Sequence, residues 1–382
     1  MMLRTASLVI ATLACTATQN GPLSAQSVQR TTLTTPTAEF PEPFSSISGI
    51  RELSDGRLMV SDRLEKAVRS LDFGSGTMYE IGRVGSGPGE YQMPGSLLPL
   101  AADSTMLVDF GNMRLTVIGP GGQMHRSSSM QQSDRFLNPT GSDAQGRLYF
   151  DDLGSFQAGP GELPDQAAVL RWDFAADVFD TVGYMPRPEV YAMSSGGGGG
   201  ARFSMRRMSP LQARDAWNVA PDGRLAVARA EPYHVAWLEP DGQKITGATV
   251  AYEPVRVTDE DKEEFSSRSA VGVMVTSGGE GSGSRTVTIP APDADELDWP
   301  DVKPAFQPSG ISVAPDGTAW VRRYVAYGAP ELYDVFDGSG NRIRQVELPA
   351  GRRLEGFGDG CIYLVRVDED DLQWIEKYER DD

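Results

Sequence analysis

The sequence predicts an all-β fold, a closed ring of six repeated units, from three observations. A tight turn followed by an apolar strand occurs six times, in SDGRLMVSD (54–62), ADSTMLVDF (102–110), AQGRLYFDD (144–152), PDGRLAVAR (221–229), PDGTAWVRR (315–323) and GDGCIYLVR (358–366). Three of the five intervals between these units span 42–48 residues, enough for four short strands. The two longer intervals fit the same period with an insertion. Six four-stranded antiparallel units are typical of a six-bladed β-propeller.

The last unit indicates how the ring closes. After CIYLVRV (361–367) and LQWIEKYE (372–379) it is one strand short of a four-stranded blade. We expect the N-terminal segment SVQRTTLTT (27–35) to supply that strand. Closure of the ring pairs the strand edges that an open meander would expose.

Composition and charge restrict the partners and the compartment. The 382-residue chain has a formal net charge of −18, which disfavours nucleic acid and anionic membrane surfaces as partners. Arg4 followed by ASLVIATLA is typical of an export signal, and this apolar stretch is too short to span a bilayer. We expect residues 1–25 to be a signal peptide and residues 26–382 to form one propeller domain, which is periplasmic or extracellular.

Two processing sites compete in the leader. One follows the small residues at 24–25, so that Gln26 begins the mature chain. The other resembles a bacterial lipobox, TLAC, and would make Cys15 the lipidated first residue. Cys361, the second of two cysteines, lies in a strand pattern and is expected to be a buried core residue, so no intramolecular disulfide is expected.

The segment GRVGSGPGEYQMP (82–94) has two interpretations. Its G-x-G-x-G spacing is close to a dinucleotide-binding loop, but such a loop leads into a helix, and Pro94 and Gly95 stand where the first helical turns would be. Strand and turn patterns follow instead, in TMLVDF and LTVIG. We therefore expect a connection between blades, in which glycines supply left-handed backbone conformations.

The second unit resembles an NHL-type repeat of six-bladed β-propellers. The features that carry the resemblance are the Gly-rich approach (85–91), MLVD (106–109), Asn112, Arg114 and a closing turn at 119–122. The first unit is a degenerate copy, and the other four keep only the turn and the strand. The whole mature chain is similar to exported bacterial six-bladed propellers of unassigned role, so the resemblance implies the fold and leaves the function open.

The loops predict that one face of the disc is elaborated. In an antiparallel blade, the loop after strand two and the loop after strand four lie on the same face. Five additions fall at those positions, at 153–166, 187–212, 258–304, 324–331 and 368–371. We call this side the elaborated face and expect it to carry function, because loops on a rigid scaffold often do.

The long insertions have recognisable parts. SSGGGGGA (194–201) and SGGEGSGS (277–284) cannot bury apolar surface and are expected to be flexible. Thr258, with Asp261 three residues later, is expected to cap a helix. WPDVKPAF (299–306) is too rich in proline for a helix and is expected to return to the disc as an extended strap.

Charged residues end strand two of successive blades at the elaborated face. The acidic set and its neighbouring amide are Asp62, Asp109, Asn112, Asp151 and Asp152, and the basic set is Arg229, Arg322, Arg323 and Arg366. The acids either bind ligand or cap their own turns through Asx bonds, and Asp109, Asn112 and Asp151 are the alternative calcium ligands. The arginines either bind a planar anion bidentately or carry solvated charge. His234 begins strand three of blade four, either as a ligand-binding residue or bonded to backbone.

These observations favour an exported, non-enzymatic ligand- or protein-binding propeller without a cofactor. Its expected partner is a small anionic or carbohydrate-like ligand, or another envelope protein, and no catalytic residue is assigned. One alternative is a calcium-assisted hydrolase or lyase that resembles propeller lactonases. Another is a structural cell-envelope lipoprotein anchored through Cys15. Calcium content distinguishes the first alternative, and lipidation distinguishes the second.

Overall fold

The computed structural model of the chain describes residues 28–132, 135–152, 165–187, 190–196, 202–208, 210–268, 271–276, 284–289 and 293–380. The expected signal peptide, with both processing sites and Cys15, lies outside these residues, as does most of the insertion at 153–166. No helix in the described part of the chain combines the length and the apolar character needed to cross a membrane.

The described strands form a six-bladed β-propeller of four-stranded antiparallel blades, which confirms the predicted fold. Blades one to three are Ile47–Glu52, Leu58–Asp62, Ala67–Asp72 and Thr77–Glu80; Pro94–Pro99, Thr105–Asp109, Arg114–Ile118 and Met124–Ser129; and Gly141–Ser142, Leu148–Asp151, Gln166–Asp173 and Val178–Pro186. Blades four to six are Ala216–Val219, Leu225–Arg229, His234–Leu238 and Lys244–Thr246; Phe306–Val313, Ala319–Arg323, Leu332–Phe336 and Arg342–Glu347; and Arg352–Gly358, Cys361–Val367, Gln373–Glu379 and Ala38–Glu39.

The core lies in the seams between neighbouring blades. Every residue of Leu58–Asp62 and of Thr105–Asp109 is buried, because the second strand of a blade packs against a neighbour on each side. The buried apolar residues of the described chain form six clusters, one for each seam. Cys361 is buried in the seam between blades six and one and is a free thiol, as expected.

The last blade is closed by an N-terminal strand, as predicted, but the segment is Ala38–Glu39 and not 27–35. Within 27–35, Gln29–Thr32 pairs in parallel with Arg342–Glu347 and adds a fifth strand to blade five. Burial of aromatic rings explains the difference, because Phe40 and Phe44, at 0% and 1% exposure, fill the seam between blades six and one. The segment 27–35 brings only small or polar side chains besides one leucine and one valine.

The insertions carry additional structure. Val190–Gly196 pairs with Arg202–Met208, and Val271–Thr276 pairs with Ser284–Ile289, so each insertion contains an antiparallel ribbon. The α-helix Asp259–Arg268 begins after Thr258, and short 3-10 turns occur at Ala101–Asp103 and Ala294–Glu296. Smaller pairings join Arg83–Val84 to Glu90–Tyr91 and Gln131–Gln132 to Arg135–Phe136.

The predicted low-complexity segments fall, in the sequence, between the paired strands of each ribbon. Ser194–Gly196 is part of a strand, so the first ribbon extends into the segment that the sequence analysis expects to be flexible. Residues 197–201 and 277–283 lie outside the described residues. Within the strap at 299–306, Val302 forms an antiparallel bridge with Arg256, and the N–H of Lys303 donates to the carbonyl of Val255 at 2.7 Å.

Phe40→Ala should lower the free energy of unfolding by about 3–5 kcal/mol, because it leaves a cavity in the seam that closes the ring. Deletion of residues 26–34 should cost clearly less, because it removes only the strand added to blade five. Urea denaturation of the two variants and the parent measures both changes. Equal losses, or a larger loss on deletion, would show that the earlier segment holds the ring.

Candidate functional site

Asp109, Asn112 and Arg114 hold the Gly-rich loop against blade two. Asp109 Oδ1 accepts the N–H of Met93 at 2.9 Å, and Oδ2 accepts the amide of Asn112 at 2.7 Å. The same amide group donates to the carbonyl of Gly85 at 2.9 Å, and Arg114 donates to the carbonyl of Gly87 at 3.2 Å. The loop is therefore a connection between blades, and its neighbouring side chains serve as backbone clamps.

Asp62 caps its own turn in blade one. It is 1% exposed, and its Oδ1 accepts the N–H groups of Leu64 and Glu65, each at 2.9 Å. Its Oδ2 accepts the N–H groups of Ser45 and Ser46 at 2.7 and 3.1 Å. Asp62 therefore caps its own turn through Asx bonds, which is one of the two roles expected for the acidic set.

Asp151 and Arg214 come together at the axial end of the elaborated face. Asp151 ends strand two of blade three and accepts the indole N–H of Trp217, in blade four, at 2.6 Å. Arg214 precedes blade four and interacts electrostatically with Asp151 and with Tyr324 of blade five. Because blade four separates blades three and five, one side chain interacts with both only where the blades converge, near the axis.

Burial alters the ionisation of these three groups. It lowers the pKa of the Arg214 guanidinium, and the attraction of Tyr324 and Asp151 does not fully compensate. It raises the pKa of Asp151 despite the Trp217 hydrogen bond and the attraction of Arg187 and Arg214. Burial also raises the pKa of Tyr324 to about 12, so this phenol is a neutral donor at physiological pH.

Arg322 extends the group into blade five. Its guanidinium pairs with Glu331, whose other carboxylate oxygen accepts the Tyr333 hydroxyl at 2.8 Å. Burial raises the pKa of Glu331 although Arg322 and Arg353 oppose the shift. Arg322 Nε is buried without a hydrogen-bond acceptor among the described residues.

Arg353 and Glu355 complete the group in blade six. Arg353 donates to Glu355 Oε2 and to Gln373 Oε1, each at 3.1 Å. The Glu355 side chain is 15% exposed, and burial raises its pKa although Arg353 opposes the shift. A further upward contribution comes from the charge of Glu331. We call this set the mouth cluster: Asp151, Arg214, Arg322, Tyr324, Glu331, Arg353 and Glu355.

The insertion between blades four and five is anchored beside the mouth cluster. Thr258 and Asp261 form the predicted helix cap: the Thr258 N–H donates to Asp261 Oδ2 at 2.9 Å, and the Asp261 N–H donates to Thr258 Oγ1 at 3.4 Å. The strap residue Lys303 donates to Asp261 Oδ1 at 2.6 Å and to the carbonyl of Val325 at 2.8 Å. A buried ion pair thus joins the helix, the strap and the loop that follows Tyr324.

The other sequence-predicted residues make local bonds. Arg229 pairs with Asp215 at 3.1 Å, and His234 Nδ1 donates to the carbonyl of Pro232 at 2.7 Å. The backbone N–H of Asp152 donates to the carbonyl of Ala168 at 2.7 Å.

Arg323 and Arg366 are directed into their blades. Arg323 is 6% exposed and donates to Asp334 at 2.9 Å, between blades four and five. Arg366 lies over the Trp374 ring and donates to Glu376 at 3.2 Å. Of the predicted residues, Asp151 and Arg322 therefore belong to the mouth cluster, and the ligand-binding role of the others stays a prediction.

Four residues with shifted pKa values at the mouth are absent from the sequence-based set, namely Arg214, Tyr324, Glu331 and Glu355. Arg214 and Tyr324 flank strands, and Glu331 ends the predicted addition at 324–331. Their positions beside loops could therefore have identified these three residues as candidates. Glu355 lies in strand one of blade six, where no motif distinguishes it.

The three residues of the alternative calcium site, Asp109, Asn112 and Asp151, are occupied by hydrogen bonds within the protein. The oxygens of Asp109 accept backbone and Asn112 N–H groups, and Asp151, in another blade, accepts the Trp217 indole. Calcium takes six to eight oxygen ligands, and the described residues contain no group of three or more His, Cys, Asp or Glu arranged to hold a metal ion. These three residues do not fit a shared calcium site, and metal analysis of the purified protein remains the test of calcium binding.

Glu355→Gln should increase the free energy of unfolding at pH 7. A glutamate whose pKa is raised on folding stabilises the protein fully below its ordinary pKa of about 4.3 and loses this contribution as the pH rises through the folded value. The neutral glutamine avoids that loss, so its advantage should shrink as the pH falls towards 4. Urea denaturation across pH 4–8 measures it, with Glu80→Gln, on the outer strand of blade one, as the control. A variant less stable than the parent at pH 7 would contradict the prediction.

Comparisons with known proteins show the fold and no family. No family model and no curated protein matches the sequence. One similar solved structure is a member of the duf4221 family from Bacteroides vulgatus, with a TM-score of 0.52 and 8% identity over 92% of this chain and 98% of that chain. A second is a gluconolactonase from Xanthomonas campestris, with a TM-score of 0.45 and 11% identity over 91% of this chain and 94% of that chain. A third is a calcium-binding protein, regucalcin, from Agrobacterium tumefaciens, with a TM-score of 0.40 and 10% identity over 92% of this chain and 97% of that chain. At 8% identity, the similarity to the first of these structures shows the fold alone. The propeller prediction is confirmed, and the NHL-type resemblance stays a prediction.

Proposed function

We propose that this protein is an exported, non-enzymatic propeller that binds a small carboxylated ligand, such as a sugar acid, at the mouth cluster. The observation that carries the proposal is the group of polar side chains at the mouth, where the half-buried Arg214 guanidinium interacts with Asp151 and with Tyr324. A ligand carboxylate would match the planar guanidinium of Arg214.

The remaining members of the cluster suit the rest of such a ligand. Tyr324 is a neutral hydroxyl donor, and Asp151 is a carboxylate acceptor of the kind that binds sugar hydroxyls. Arg322 adds a buried Nε donor without an acceptor among the described residues. The mouth cluster therefore offers both acceptors and donors, as recognition of a polyhydroxy acid requires.

Neighbouring charges restrict where the ligand carboxylate can bind. Arg353 is already paired with Glu355, and Arg322 is paired with Glu331. Two carboxylates in this part of the cluster would repel a second anion. The ligand carboxylate is therefore assigned to Arg214, and its hydroxyl groups to the side of Tyr324 and Asp151.

Arg214→Gln should weaken the binding of gluconate or glucuronate by about tenfold or more, because a charge-assisted hydrogen bond is lost. Tyr324→Phe should weaken it less. Isothermal titration of the two acids, with neutral glucose as comparison, measures the change. The matched control is Arg57→Gln, which removes an arginine that pairs with Asp55 at an Asp-Gly turn on the opposite face.

Three outcomes would overturn this proposal. The first is binding to Arg214→Gln that equals binding to the parent, and the second is no binding of either acid to the parent. The third is calcium-dependent hydrolysis of gluconolactone above the rate in buffer, which would establish the lactonase-like alternative. Incorporation of labelled palmitate at Cys15 would separately support the envelope-lipoprotein hypothesis.

A further inference from the structure

A small cavity with an open mouth lies on the opposite side of the disc, in the seam between blades five and six. Trp320 and Ile362 supply apolar walls, and Arg344, Arg380 and the added-strand residue Thr31 supply polar groups. Trp320 and Ile362 are each the second residue of a strand that follows an Asp-Gly turn, so they lie on the face opposite the mouth cluster. The cavity therefore opens away from the mouth cluster.

Arg380 is incompletely paired in this seam. Its side chain is 6% exposed, and one guanidinium nitrogen lies 3.2 Å from Asp316 Oδ2. Its Nε and Nη1 are buried without a hydrogen-bond acceptor among the described residues. Every other arginine of the described chain with such a nitrogen has one, and Arg380 has two. A buried cationic donor without an acceptor costs free energy, and an ion or a water normally satisfies it.

We propose that this cavity binds a small oxyanion or carboxylate through Arg380, Arg344 and the Thr31 hydroxyl. Two guanidinium groups favour an anion with several acceptor oxygens. Glu379 also lines the cavity, but this residue is exposed, and solvent screens its charge.

The location gives the anion a structural consequence. Thr31 belongs to the strand Gln29–Thr32 on blade five, Arg344 belongs to the outer strand of the same blade, and Arg380 follows strand three of blade six. One bound anion would therefore join the added N-terminal strand to two neighbouring blades. The site is independent of the mouth cluster, because the two lie on opposite faces.

Titration of the full chain with inorganic phosphate, sulfate and acetate, at constant ionic strength, tests the proposal. We expect saturable binding of at least one anion to the parent, and binding about tenfold weaker or more for Arg380→Gln. Thr31→Val should weaken binding by a smaller factor, because it removes one neutral hydrogen bond. Arg57→Gln, which removes an arginine at the Asp-Gly turn of blade one, should bind these anions as the parent does.

Asp316→Asn separates an anion site from a purely structural ion pair. It removes the carboxylate that competes for Arg380, and the amide oxygen can still accept the Thr318 N–H, now 2.9 Å from Asp316 Oδ1. An anion site predicts tighter binding in this variant. Absence of saturable binding to the parent, or unchanged binding in both Arg380→Gln and Asp316→Asn, would overturn the proposal, even if one variant folds poorly.

Discussion

Closure of the ring is the constraint on which the rest of this structure depends. The middle strands of each blade are buried on both sides, so each blade needs two neighbours. Blades six and one become neighbours because Ala38–Glu39 pairs with the last blade and Phe40 and Phe44 fill the seam beside it. Loss of that seam would expose apolar faces and unpaired strand edges at both ends of the meander.

The acidic residues at strand ends serve this ring in different ways. Asp62 and Asp109 accept N–H groups from turns that have no strand partner, and a buried donor of that kind needs an acceptor. Asp151 instead accepts an indole N–H and interacts with Arg214 at the axis. Residues at equivalent positions in the repeat therefore differ in role, since the neighbouring blade decides what each carboxylate contacts.

Local patterns explain why the blades were predictable from sequence and the mouth cluster was not. Turn-and-strand units and the Thr258 cap depend on residues a few positions apart, so the sequence displays them directly. The closing segment was misplaced because any extended backbone can pair with an edge, and only the burial of Phe40 and Phe44 distinguishes 38–44 from 27–35. Arg214, Tyr324 and Glu355 come from three blades and belong to one cluster only because the ring closes. Their spacing in the sequence therefore does not predict the cluster.

A crystal structure of the protein with a bound sugar acid tests most directly the claim that the ring presents its ligand site at the axis of the elaborated face. We expect electron density for the ligand carboxylate in contact with the Arg214 guanidinium, and a ligand hydroxyl within hydrogen-bond distance of Tyr324. Ligand density elsewhere, with Arg214 and Tyr324 untouched, would contradict it.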